Sequence, residues 1–172
     1  MELQTTRLIL REYTIEDFET IYEILSDAET MKYYPSPFNK EKVENWIKWN
    51  IDNYATFGFG LWAVVLKESG RMIGDCGITM QNIHGKIKPE IGYHINKEYQ
   101  NMGYATEAAL RCKDYLFEKT PFNIVYSYMK HTNVASAKVA QKNGMRLVDE
   151  YEDPVDTVTK VYAVTRKEWE RR

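Results

Sequence analysis

The chain has 172 residues, 44% of them hydrophobic and 13% aromatic, apolar surface enough for one sizeable core. This excludes intrinsic disorder, collagen-like repeats and disulfide-stapled mini-proteins. Lys and Arg number 23 against 25 Asp and Glu, for a formal charge of -2, so composition gives no electrostatic footprint of nucleic-acid or acidic-membrane binding. The longest uninterrupted apolar run, Leu61 to Leu66, is far shorter than the roughly 20 residues that span a bilayer.

The opening Met1-Glu2-Leu3-Gln4-Thr5-Thr6-Arg7 places an acid where a signal peptide carries bases, so a soluble, cytoplasmic protein is expected. Cys76 and Cys112 are single and distant in sequence among apolar or small neighbours. They read as buried thiols in a reducing compartment rather than as a bridge.

No repeat or linker interrupts the sequence, and one domain is expected over residues 1–172. Arg7 to Glu12 alternates as a strand. Ile15, Phe18, Tyr22 and Leu25 then mark one face of a helix begun near Thr14. A proline loop, Tyr33 to Phe38, ends it, and Val43, Trp46, Ile47, Asn50 and Tyr54 form the inner stripe of a second helix. Strands follow at Leu61 to Lys67 and Arg71 to Met80, joined by the turn Glu68-Ser69-Gly70. Asn82 to Pro89 reads as a turn region, with Pro89 opening the strand Glu90 to Asn96.

Gly103 to Glu118 is a helix whose stripe is Ala105, Ala108, Ala109, Cys112 and Leu116. A strand at Ile124 to Met129, a short helix at Ala135 to Asn143 closed by Gly144, and strands at Met145 to Tyr151 and Thr157 to Thr165 complete the chain. The order βααβββαβαββ calls for an α/β (α+β) fold, a mixed sheet with helices on its faces. The helix between Glu90–Asn96 and Ile124–Met129 makes those two strands parallel.

Gln100-Asn101-Met102-Gly103-Tyr104-Ala105-Thr106 lies where a strand gives way to that long helix. Such a junction aims unpaired backbone N–H groups and the positive end of the helix dipole at one spot, which suits a pyrophosphate. Gln100 offers a side-chain donor there, and the Thr106 hydroxyl lies in the first helical turn. Neither GxxxxGK[ST] nor GxGxxG occurs in the sequence, so nucleotide hydrolysis and dinucleotide binding lack their usual signatures.

Gln100 to Ala105 resembles the Q/R-x-x-G-x-G/A pyrophosphate loop of the GNAT N-acetyltransferase superfamily, and the order of elements over nearly the whole chain is similar to that fold. Asn133-Val134-Ala135-Ser136 and Lys142-Asn143-Gly144-Met145 lie at similar places. Thr6 to Arg11 and Glu90-Ile91-Gly92-Tyr93 resemble the branch related to ribosomal-protein N-terminal acetyltransferases. The resemblance implies a centrally splayed sheet with acetyl-CoA in the gap. The backbone of Tyr93, His94 and Ile95 would pair with pantetheine as an added strand, residues 100 to 106 would hold the pyrophosphate, and Asn133 would bond pantetheine or serve as a helix N-cap. It also implies direct acetyl transfer to a primary amine, foremost a protein or peptide N-terminus. A small amine such as a polyamine or antibiotic, or a CoA-binding module without catalysis, are the alternatives, and a monomer and a homodimer are equally consistent.

Acetyl transfer to an amine that is mostly charged at neutral pH requires a carboxylate to accept its proton, directly or through water, and ideally a donor for the departing thiolate. Glu90 is the candidate base, on the same strand face as Gly92 and His94 and opposite Ile91, Tyr93 and Ile95; a solvated strand-end glutamate paired with Lys88 is its alternative. His94 titrates in the useful range, or is a histidine paired within the sheet. Many GNAT enzymes carry a tyrosine seven residues after the asparagine, but here that position is Ala140. Ser136, three residues after Asn133, is the candidate donor to sulfur, or else a helix cap.

No residue spacing suggests a metal site. The acceptor pocket is expected between the first two helices, their Tyr33–Phe38 loop and the last hairpin. Asp149, Glu150, Glu152, Asp153 and Asp156 near that hairpin's turn would attract a cation or simply face water. Trp46, Trp49, Trp62 and Tyr54 read as core.

Overall fold

The computed structural model describes residues 1–154 and 157–171. Among them, strands β1 (Glu2–Gln4), β2 (Leu8–Arg11), β3 (Leu61–Leu66), β4 (Met72–Ile83), β5 (Lys86–Ile95), β6 (Ile124–Lys130), β7 (Arg146–Glu152) and β8 (Val158–Thr165) form one mixed sheet in the order β1-β2-β3-β4-β5-β6-β8-β7. The helices are α1 (Phe18–Leu25), α2 (Lys40–Phe57), α3 (Tyr104–Lys119), α4 (Val134–Lys142) and α5 (Arg166–Glu170). The expected α/β class and element order hold, with β1 and α5 added at the two ends.

Each helix end has a local cause. Asn39 caps α2 by accepting the Lys42 N–H at 2.8 Å, and Gly58, at φ 76°, ends it in the left-handed conformation that only glycine adopts freely. Helices cover both sheet faces. Trp62, Ile78, Ile91 and Cys76 pack with Ala108, Cys112 and Leu116 of α3 on one face; Leu61, Ala63 and Val65 pack with Ile21, Val43 and Ile47 of α1 and α2 on the other. Cys76 and Cys112 are free thiols buried against each other, Sγ to Sγ 3.7 Å.

The Asn82–Pro89 turn region is corrected to a long hairpin: β4 and β5 pair from Gly74↔Ile95 to Ile83↔Lys86, turning at His84 and Gly85, both at positive φ. That is a two-residue turn of the twist hairpins favour, hidden because histidine seldom signals it. Pro89 therefore sits inside β5, opposite Met80, rather than opening it. It is tolerated because alternation turns its missing N–H away from β4.

Parallel pairing of β5 with β6 is confined to Glu90↔Tyr126. Beyond that point the two strands part, and the sheet opens toward the start of α3.

Candidate active site

The loop entering α3 alternates its backbone hand. Asn101 has φ 61° and Gly103 φ 84°, and the first bond of the helix runs from Glu107 N–H to the Gly103 carbonyl. The N–H groups of Tyr104, Ala105 and Thr106 precede that bond and have no helical acceptor. With the helix dipole behind them they form an anion-binding concavity. Arg7 braces the loop from below. It donates to the Met102 carbonyl at 3.1 Å, lies 4.3 Å from the Tyr104 ring centroid, and is fixed by Glu107, which accepts its Nε and its backbone N–H. Burial works against the Glu107 carboxylate, but Thr5 and the Arg7 donors outweigh it and hold its pKa below the ordinary range.

The free edge of β5 faces the gap. The Ile91 carbonyl accepts the Ser127 hydroxyl at 2.8 Å and the Ile95 carbonyl accepts Gln100 Nε2 at 2.9 Å. Tyr93 lies between them, so strand alternation points its N–H and C=O into the same opening, unpaired by β6. Gln100 thus spends a side-chain donor on tying the loop to the strand. Asn133 caps α4, its Oδ1 accepting the Ser136 N–H at 3.1 Å.

Gap and loop join in a cavity of about 560 Å³, lined by Tyr93, His94, Ile95, Gln100, Asn101, Gly103, Tyr104, Ala105, Thr106, Asn133 and Ser136, with Tyr33 and Tyr34 at one end and Lys32, Lys138 and Lys142 at its rim. Met102 is exposed and outside this lining, offering its carbonyl to Arg7 instead. Glu90 is also outside it.

The candidate acid–base groups divide by face. On the α3 side, the Tyr93 phenol donates to the Ser136 carbonyl and shares a hydrogen bond with Ser136 Oγ, both at 2.9 Å. Ala140 is itself buried, and the phenol that meets Ser136 comes from β5. Burial raises the Tyr93 pKa, partly opposed by the Ser136 bond.

On the α1–α2 side stand Glu90 and His94. Glu90 is buried, with only the Thr79 hydroxyl nearby at 3.5 Å, and burial pushes its carboxyl up to about 8. It needs Gly92 beside it: a Cβ there would stand 3.0 Å from Glu90 Oε2. His94 is also buried, its Nδ1 2.7 Å from Asp75 Oδ1. Asp75 is completely buried and accepts two further bonds, from the Tyr13 hydroxyl at 2.8 Å and Trp46 Nε1 at 3.0 Å. His94 Nε2 has no hydrogen-bond partner among the described residues.

Sequence reasoning missed Asp75, whose signal was an acid inside the otherwise apolar run Met72–Ile78, and it read Trp46 as core alone. Of the expected acceptor walls, Tyr33 and Tyr34 of the loop line the cavity; among the described residues neither α1 and α2 nor the last hairpin does. Among the acidic residues there, Asp149 is paired with His84 at 2.7 Å while Glu150 and Glu152 are exposed; Asp156 lies outside the described residues.

Comparison with known proteins agrees with this fold. The chain is 35% identical over 145 residues to the uncharacterized protein YkkB of Bacillus subtilis, covering 84% of each. It is 33% identical over 148 residues to the uncharacterized N-acetyltransferase YnaD of the same organism, covering 85% of this chain and 83% of that one. A GNAT-family acetyltransferase structure from Bacillus anthracis superposes with a TM-score of 0.83 at 26% identity, over 97% of this chain and 99% of that one. In fold alone, at 15% identity and a TM-score of 0.79 over 96% and 98% of the two chains, it is similar to RimL, a ribosomal L7/L12 α-N-protein acetyltransferase in complex with coenzyme A. The profile of the acetyltransferase (GNAT) domain matches residues 7–146, and the chain belongs to this family of N-acetyltransferases.

Proposed function

We propose that the chain, working as one cytoplasmic domain over residues 1–172, moves the acetyl group of acetyl-CoA directly to a primary amine, namely a protein or peptide N-terminal α-amine of the ribosomal-protein type. One observation carries this reading: the free N–H groups at the start of α3 and the unpaired edge of β5 open into the same cavity as the Tyr93–Ser136 pair. Residues 100 to 106 then hold the pyrophosphate of CoA, and the backbone of residues 93 to 95, with Asn133, aligns pantetheine so that the thioester lies near the Tyr93 N–H. A fixed backbone donor there stabilises the oxyanion with little reorganisation.

Ser136, bonded to Tyr93, supplies the hydrogen bond or proton to the departing thiolate. Glu90, neutral at pH 7 through its burial, becomes a base only as pH passes about 8. The α-amine acceptor is supported by the resemblance of Thr6 to Arg11, Glu90 to Tyr93 and the Asn133–Ser136 spacing to the ribosomal-protein branch.

Thiol release from acetyl-CoA, measured against peptides with free α-amines, polyamines and aminoglycosides, tests the reading. Turnover with the peptides is expected. CoA binding without turnover on any amine would leave a non-catalytic CoA-binding module, and turnover on small amines alone would move the acceptor class.

A further inference from the structure

We propose that His94 is the proton acceptor for the attacking amine and that Asp75 is its positioning residue. The inference rests on the acetyl-transfer reading but concerns two side chains on the α1–α2 face, those of His94 and Asp75, to which that reading gives no role. His94 lines the cavity, its ring buried, with Nε2 lacking any hydrogen-bond partner among the described residues. A buried polar nitrogen left bare costs stability unless something outside the fold satisfies it. Its position on the cavity wall makes the occupant of the cavity that partner.

Asp75 decides which nitrogen is bare. Its Oδ1 meets Nδ1 at 2.7 Å, so Nδ1 carries the proton and Nε2 is the lone-pair nitrogen. Tyr13 and Trp46 both donate to Oδ2, so the carboxylate is held in place and kept as an acceptor. Above the imidazole lie the rings of Tyr34 and Trp46, at 5.0 and 5.6 Å between centroids. The titratable groups facing His94 are thus Asp75 from β4, Tyr13 from the loop before α1 through Asp75, Tyr34 from the α1–α2 connection, and Glu90 further along its own strand.

The step balances without an added reagent. The neutral amine attacks the thioester carbon; as the N–C bond forms the nitrogen gives a proton to Nε2. The C–S bond then breaks and CoA leaves as a thiolate, protonated through the Ser136 hydroxyl or water, and the imidazolium passes its proton to solvent. This chemistry favours an α-amine, whose ammonium near pKa ~8 is partly neutral at physiological pH and lies close to the range of an imidazole, over a lysine-like amine near ~10.

The test combines pH profiles of kcat and kcat/KM with ¹⁵N NMR of the imidazole, for the wild type and the variants His94→Gln, Asp75→Asn and Glu90→Gln. His94→Gln is expected to lower kcat on an α-amine peptide about 100-fold or more, to abolish the limb of the profile near neutrality, and to leave acetyl-CoA affinity within about three-fold. Asp75→Asn, which can donate to Nδ1 and so reverse the tautomer, is expected to lose a similar factor and show the Nε2–H form. Glu90→Gln is expected to keep the neutral limb.

Retention of that limb by His94→Gln, its loss in Glu90→Gln alone, or an Nε2–H tautomer in the wild type would overturn the inference. The tautomer is read without turnover: wild-type protein inactive on every amine, with Nδ1–H seen, defeats the acetyl-transfer reading and with it the catalytic role of His94. An active enzyme with Nε2–H defeats the role of His94 alone.

Discussion

Glu90 and His94 share one face of β5, and their neighbours give them opposite situations. His94 is held by a carboxylate, whereas Glu90 has only the Thr79 hydroxyl. Because burial raises the Glu90 pKa to about 8, well above the ordinary carboxylate range, the native state binds a proton that the unfolded chain releases. The contribution of this group to stability is complete below the unfolded pKa and is lost as pH rises through the folded one. Glu90→Gln is therefore expected to be near neutral at pH 4 and to stabilise by up to a few kcal/mol at pH 9, a gain that urea melts at the two pH values would measure. Equal effects at both would mean that the carboxyl is not held neutral.

Gly103 is a second position where one residue type is required. At φ 84°, with a Cβ there only 3.3 Å from Arg7 Nη2, Gly103→Ala is expected to cost about 1–2 kcal/mol. It should also weaken acetyl-CoA binding several-fold by calorimetry, since the adjoining N–H groups would be re-aimed.

At the scale of elements, α3 is pinned at both ends by residues distant in sequence. Its start is held by Thr5 and Arg7 through Glu107. Its end is held by Arg166, which donates to the carbonyls of Phe117 at 2.5 Å, Thr120 at 2.6 Å and Phe122 at 2.9 Å. These oxygens include a carbonyl of the last helical turn, which has no intrahelical partner, and a cation there also complements the dipole. Arg166→Ala should cost about 1.5–3 kcal/mol, or roughly 4–10 °C in Tm by calorimetry. Arg166→Lys should recover only part, because an ammonium cannot reach three carbonyls with a planar fork.

β4 carries a comparable constraint. A Cβ at Gly77 would lie 2.0 Å from the Gly60 carbonyl oxygen, and one at Gly74 would lie 1.9 Å from that of His94. Gly77→Ala should prevent soluble expression or lower Tm by more than 10 °C, since backbone and not a flexible side chain stands in the way.

Taken as a whole, the molecule is a sheet opened at one seam, with α3 and α4 over one face and α1 and α2 over the other; on the proposed reading the seam holds acetyl-CoA. A ligand that fits the seam only in the native state stabilises by mass action. At a hundred times its Kd, acetyl-CoA is expected to contribute about 2.7 kcal/mol, read as a rise of roughly 5–10 °C in thermal unfolding. With Lys32, Lys138 and Lys142 at the cavity rim, the shift should shrink as salt rises. Absence of any shift would remove the ligand from the account.

Period, turn residues and loop spacing lie in neighbouring positions along the chain, so the sequence by itself determined the alternation of β2, the apolar run of β3, the stripe of α3, and the 100–106 loop at the strand-to-helix junction. Properties that depend on what lies across the fold were not legible. The Asp75–His94 contact joins residues nineteen apart on paired strands, Trp46 reaches Asp75 from a helix whose periodicity spoke only of core, and Tyr93 meets Ser136 over forty-three residues. Burial likewise decided that the Glu90 pKa is raised and that His94 Nε2 stands bare among the described residues, because desolvation and hydrogen-bond satisfaction are fixed by three-dimensional neighbours and leave no trace in local sequence.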